Sequence, residues 1–218
     1  MNISSLGAGS NRNYGYHTID TNSSQYKAAA KDFLENHRAA VAQMSPWEKM
    51  MYEMFGGEEA YMRNVMKMYN SEGDFVGPDG IVVPGMVATG IPESERHQII
   101  DISEEARQNM FDETKRHFLQ EYGVANGDTT KRSEVYREFQ LSIPKEDRLK
   151  GTWTLGQYER AYHVAFYDAV KAANPNWQLG MPFDRSILDN VTRESVDQAL
   201  VKSGNSLVLP RKTIDTSA

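Results

Sequence analysis

The sequence predicts a mainly α protein: an irregular multi-helix domain of about six to seven helices, with a minor β-hairpin around residues 74–91. Three observations carry this. Apolar residues recur at helical spacing through most of the chain. Capping serines or threonines precede those runs, and glycine or proline ends them. One stretch, 71–95, instead combines short β-branched runs with glycine and proline every few residues. No strand-helix alternation appears, so a parallel nucleotide-binding sheet is not expected.

The first periodic segment is SQYKAAAKDFLENHRAAVAQM, with Ser24 as the expected cap and Tyr26, Ala30, Phe33, Leu34, His37, Val41 and Met44 in register. SPWEKMMYEMF follows. Ser45, Pro46 and Glu48 fall at N-cap, N1 and N3, which predicts a capping box, and Gly56-Gly57 stops the helix. The pattern restarts in EEAYMRNVMKMYN through Met62, Val65, Met66 and Tyr69. In the Gly/Pro-rich insertion, GPDG is a strong turn signal between Phe75-Val76 and Ile81-Val82-Val83. Pro84 and Pro92 argue against a long central strand.

DISEEARQNMFDETKRHFLQEYG predicts a helix capped by Ser103, acidic in its first turn and stopped by Gly123. A loop over VANGDTTK leads to a short helix at SEVYREFQL, and PKEDRLKG returns to loop. TLGQYERAYHVAFYDAVKAANP carries an expected capping box, Thr154 with Gln157, and ends before Pro175. RSILDNVTRESVDQALVKSG supplies one or two closing helices, and NSLVLPRK reads as a short strand. Three segments result: a flexible leader at 1–23, one helical domain at 24–210 with its insertion at 71–95, and a frayed tail at 211–218.

Composition narrows the function classes. The net charge is −6, and basic residues alternate with acidic ones, as in KEDRLK, so phosphate-binding stripes are missing and nucleic acid is not an expected partner. The chain has no cysteine, which removes disulfides, thiolate metal sites and a cysteine nucleophile. No apolar run approaches a membrane span of ~20 residues, and a conventional secretory signal is not recognisable. Phosphate loops, dinucleotide fingerprints, nucleophile elbows, zinc helices and paired di-iron motifs are also missing from the sequence. Neither a metal nor a cofactor is expected.

Two histidine constellations remain. Glu113, His117 and Glu121 fall at i, i+4 and i+8 on one helix, where an imidazole between carboxylates suits metal binding or general-base work. The commoner meaning of that spacing is a solvated helix shoulder with ordinary stabilising pairs. Glu159 and His163 repeat the spacing beside an aromatic-rich face. A histidine there either acts in a cleft or, more often, packs its ring and hydrogen-bonds its tip.

The more unusual feature is methionine. Seven of eleven lie between residues 44 and 68, interleaved with Trp47, Tyr52, Phe55, Tyr61 and Tyr69. Methionine is flexible and polarizable, and it suits adaptable contact surfaces as well as cores. Met50, Met51, Met54, Met62 and Met66 are therefore partner-binding candidates, with half the core as the competing use. Trp177 and Phe183, in the loop PNWQLGMPFDRS, are a second partner-binding candidate, although a loop anchored to the core is the preferred reading.

The leader MNISSLGAGSNRNYGYHTIDTNSS is polar, rich in Ser and Asn, and nearly uncharged. In composition it resembles the leaders of substrates of flagellar and type III secretion systems. That resemblance and the lack of cysteine suggest a bacterial protein exported without a conventional signal peptide, and the adaptable apolar faces of its helical body suggest action through protein–protein contacts. Two other readings stay open: an enzyme, hydrolase-like, using the His/Glu groups, and a cytosolic scaffold or homo-oligomer subunit.

Overall fold

A computed structural model describes residues 19–125 and 127–210. The expected leader lies mostly outside the described residues, and the expected tail at 211–218 lies wholly outside them. The chain forms two compact units, 1–83 and 84–218. Their border falls inside the Gly/Pro-rich stretch, after the second strand of its hairpin.

The described residues are mainly helical, with nine α-helices and two small antiparallel β-hairpins. In the first unit, α1 (Ser24–Ala29), a π-helical turn (Ala30–Leu34) and α2 (Glu35–Ala42) together occupy the first periodic segment. One inserted π turn thus divides one expected helix into two. The cap is Ser23 rather than Ser24: Ser23 is extended, and its hydroxyl accepts from the Tyr26 N–H. The Ser24 hydroxyl instead donates to the Ser71 carbonyl, tying the start of α1 to the loop after α4.

Helix α3 (Pro46–Met54) starts on the expected capping box, with both reciprocal hydrogen bonds present. α4 (Gly57–Met66) begins directly after Gly56. Ala29, Met62, Val65 and Tyr69 form the core of this unit, and Tyr26, Phe33, Met66 and Phe75 pack against it. The Tyr69 hydroxyl donates to Asp32 at 2.6 Å, so the end of α4 is fixed to the π turn. The hairpin pairs β1 (Phe75–Val76) with β2 (Val82–Val83) around GPDG.

The second unit opens with the short α5 (Glu93–Arg96), which sequence periodicity did not reveal because four residues span barely one turn. Its frame is α6 (Glu104–Gln120), α7 (Thr130–Ser142) and the long α8 (Arg148–Ala173). Phe111 and Phe118 on α6 meet Tyr162 and Phe166 on α8 at ring distances of 5.2–5.7 Å, in the edge-on and tilted arrangements aromatic pairs favour.

Thr154 corrects an expectation. It lies inside α8, not at its cap, because the helix already begins at Arg148. Its hydroxyl accepts from the Ile100 N–H at 3.1 Å and donates to the Lys150 carbonyl at 2.9 Å, one turn back. The residue whose pattern suggested a cap instead holds the loop before α6 against α8.

A 3₁₀ turn (Arg185–Asn190), α9 (Arg193–Ala199) and a second hairpin close the unit. That hairpin pairs β3 (Val201–Ser203) with β4 (Ser206–Val208), so the predicted strand has a partner in residues first assigned to a closing helix. Arg107 and Arg193 share the Asp197 carboxylate at 3.0 and 2.9 Å, joining α6 to α9.

Candidate functional site

In the first unit the methionine-rich segment divides into two faces. Met62 is 1% exposed and sits in the core; Met66 is half-buried against it. α3 is different, since no residue on it is buried. Trp47, Met50, Met54 and Phe55 are 66%, 58%, 64% and 74% exposed, and Met51 is half-buried beside them. At 100° per residue these five positions, i, i+3, i+4, i+7 and i+8, share ~140° of the helix circumference. They make one continuous apolar stripe turned to solvent.

The other side of α3 carries its anchors. The Tyr52 hydroxyl and His37 Nε2 are hydrogen-bonded at 2.8 Å, and the His37 ring stacks on Tyr61 at 3.5 Å with the planes 3° apart. Lys49 donates to the Ala42 carbonyl at 3.1 Å. Arg38 on α2 grips Glu58 on α4 through two 2.7 Å hydrogen bonds. The stripe is therefore presented on a tethered helix rather than on a loose one.

Trp177 and Phe183 sit in a loop anchored to the core. Trp177 is 1% exposed, surrounded by Phe118, Tyr167 and Phe183, and its indole N–H donates to the Met181 carbonyl at 2.7 Å. Lys171 holds the same loop by donating to the carbonyls of Pro175 and Trp177. Trp177 anchors the loop to the core with Phe183 half-buried against it, and Met62 is likewise buried in the core of the first unit.

Four of the histidine-site candidates converge. Glu113 and His117 on α6 and Glu159 and His163 on α8 border one cleft of about 520 Å³, which the loop after α6 and the start of α7 complete. Glu121 does not border it, because it falls at the C-cap of α6 beyond the last helical turn. The cleft also takes in Arg132 from α7 and Arg160 from α8, neither of which the spacing of the sequence had singled out.

Both carboxylates are already engaged. Arg116 holds Glu113, which is buried, through hydrogen bonds of 2.6 and 2.7 Å. Arg132 grips both oxygens of Glu159, the Nη2 contact at 2.8 Å, and the Tyr136 hydroxyl adds a third hydrogen bond at 2.7 Å. Burial, and then Glu159, push the Tyr136 phenol well above its ordinary range, while the Arg132 guanidinium is held charged by its hydrogen bonds to Glu159. In each fork both carboxylate oxygens accept from a guanidinium, so neither oxygen is without a partner.

His163 donates from Nε2 to the Gly123 carbonyl at 3.2 Å, with its ring edge-on to Phe118. Burial lowers its pKa from the ordinary imidazole value, which favours the neutral ring. Among the described residues, no group of three or more His, Cys, Asp or Glu stands close enough to hold a metal ion. No helix among them is long and apolar enough to cross a membrane.

The residues that spacing missed had weak signals. Trp47 and Phe55 extend the Met50–Met54 stripe at i−3 and i+5 from Met50, visible once α3 is known to bury nothing. Arg132 stands 27 residues from Glu159, and nothing in either segment announces the pair. In comparison with known proteins, residues 19–218 match a family described as a domain of unknown function (DUF3879). No curated protein and no solved structure matches the chain.

Proposed function

This chain belongs to the DUF3879 family, and we propose that it is a bacterial helical protein that leaves the cell without a conventional signal peptide and acts through protein–protein contact. The observation that carries the contact reading is the α3 stripe: four large apolar side chains more than half exposed, aligned on a helix held from its opposite side. Such a helix docks by laying its apolar face into a groove on a partner, with anchors at i, i+3, i+4 and i+7. Trp47 and Met54 would be the outer anchors, and methionine between them tolerates imperfect groove shape. Export rests on the polar leader and the lack of cysteine.

The engaged state of Glu113 and Glu159 weighs against the hydrolase-like alternative, since both oxygens of each carboxylate are taken by an arginine. The test of the contact reading places a photo-crosslinking residue at Met50 of the full chain in producing cells. A discrete adduct with another protein, lost on Met54→Glu, supports it. No adduct refutes it, and an adduct only with a second copy moves the assignment to the oligomer alternative. Export is checked separately by fractionating culture supernatant for the full chain and a variant lacking residues 2–18. Equal amounts outside, or none of either, refute a leader-directed route.

A further inference from the structure

We propose that the cleft between α6 and α8 binds a small organic anion with an apolar body, its charged group held by Arg160. This site is independent of the α3 contact reading. The argument begins with charge. Around the cleft, α6 contributes Glu113 and His117, α7 contributes Arg132, and α8 contributes Glu159, Arg160 and His163. Arg116 neutralises Glu113, and Arg132 neutralises Glu159. Asp128, at the entrance to α7, accepts from the Thr130 N–H at 2.9 Å and its charge faces Arg116 and His117 rather than Arg160. Among the described residues Arg160 has no carboxylate partner, so one cation is left uncompensated on an exposed rim.

Shape and polarity give the rest of the ligand. The wall between the charged groups is made of small side chains, Ala125, Gly156 and Val164, with Thr114 turning its hydroxyl back to the Met110 carbonyl at 2.6 Å. That arrangement leaves an apolar strip and a volume of about 520 Å³. Pockets of this size hold compact organic ligands, with orientation fixed by one or two polar groups. His163 offers no free N–H from Nε2, which Gly123 already takes, so it acts as a polar wall rather than a second anion donor. A cation at the rim with an apolar floor selects a carboxylate, sulfonate or phosphate ester attached to a ring or chain, and disfavours the amine of the same shape.

The test titrates the full chain with 2-naphthoate and with 2-naphthamide, a neutral ligand of nearly the same shape. The readout is the imidazole signals of His117 and His163 in isotope-labelled protein. The expected result is a saturable shift of both rings with naphthoate and at least tenfold weaker binding of the amide. Arg160→Gln, an exposed substitution, should bring the two ligands to equal affinity, and Ala125→Trp should remove both by filling the cleft. Met50→Glu should change neither. The proposal is overturned by no saturable shift, by equal affinities in the unsubstituted protein, or by naphthoate binding that survives Ala125→Trp.

Discussion

Gly123 joins the fold of the second unit to its cleft, and replacing it with alanine is a demanding test of that packing. The residue sits at φ +81 just beyond α6, and its carbonyl receives the His163 imidazole. A Cβ added there would stand 2.9 Å from Leu179 Cδ2, 3.0 Å from Phe118 Cζ and 3.0 Å from Trp177 Cη2. Leu179 is exposed and can swing away, but Phe118 and Trp177 are each 1% exposed and cannot. Left-handed backbone costs a non-glycine residue about 1–2 kcal/mol. Overpacking against fixed rings adds about 1–3 kcal/mol, and reduced freedom of the unfolded chain returns about 0.4–1 kcal/mol. The balance is a loss of roughly 3 kcal/mol. The assay is urea unfolding followed by tryptophan fluorescence, to which Trp177 contributes from inside this core. With a slope of about 2 kcal/mol per molar urea, the midpoint should fall by about 1.5 M. Gly180→Ala is the control: φ is +86, yet its Cβ meets only Val124 Cγ2 at 3.5 Å. It carries the strain without the clash, so the difference between the two variants should be about 1–3 kcal/mol. Equal losses, or a Gly123→Ala loss below about 0.5 kcal/mol, refute the claim that rings crowd this position.

Two further outcomes follow from buried polar groups. His163 has a lowered folded-state pKa, so the unfolded chain takes up its proton first as pH falls through about 6.5; stability should drop below that pH and level off once the folded ring is also protonated. In urea midpoints measured at pH 7.5 and 5.5, His163→Gln should show a smaller acid loss than the unsubstituted protein, and an unchanged loss refutes the assignment. Tyr162 is fully buried and donates to Asp197 Oδ1 at 2.8 Å, while both arginines bind Oδ2. Tyr162→Phe should cost about 1.5 kcal/mol, toward the lower end for a hydrogen bond to a charged acceptor, because Asp197 keeps its arginine partners. A neutral result by circular dichroism melts in urea would show that the hydroxyl adds nothing to the tie between α8 and α9.

Local rules of sequence were legible where the structure satisfies them within a few residues. The Ser45–Glu48 box, the Ser103 cap and the GPDG hairpin are short-range devices, and each appears as the pattern predicts. The expected six to seven helices become nine because a π turn splits the first and a four-residue helix escapes periodicity. Thr154 shows the limit of the same rules. Its pattern is that of a cap, but packing of the loop at Ile100 onto α8 gave the hydroxyl another use. The cleft was half legible. Spacing marked Glu113, His117, Glu159 and His163 as pairs on two separate helices, and only the packing of α6 on α8 set them around one space. Arg132 had no sequence signal, and it is the residue that places Glu159 in an ion pair.

The methionine segment carries the same lesson further. Met62 and Met54 have the same chemistry and lie on adjoining helices, yet one is buried and the other faces solvent. The difference comes from what each helix turns toward its neighbours. α4 directs Met62 and Val65 toward Ala29 and the π turn, while α3 is held by polar contacts from Lys49 and Tyr52 and, among the described residues of this unit, its apolar side is not buried. A helix that needed its stripe for stability would have been anchored through it. Here the capping box, the Tyr52–His37 contact and the lysine supply the tether, so the stripe is free to serve contact without costing the unit its core. Substitution of Met50 or Met54 by glutamate should therefore leave folding intact, which is the condition that makes the crosslinking experiment decisive.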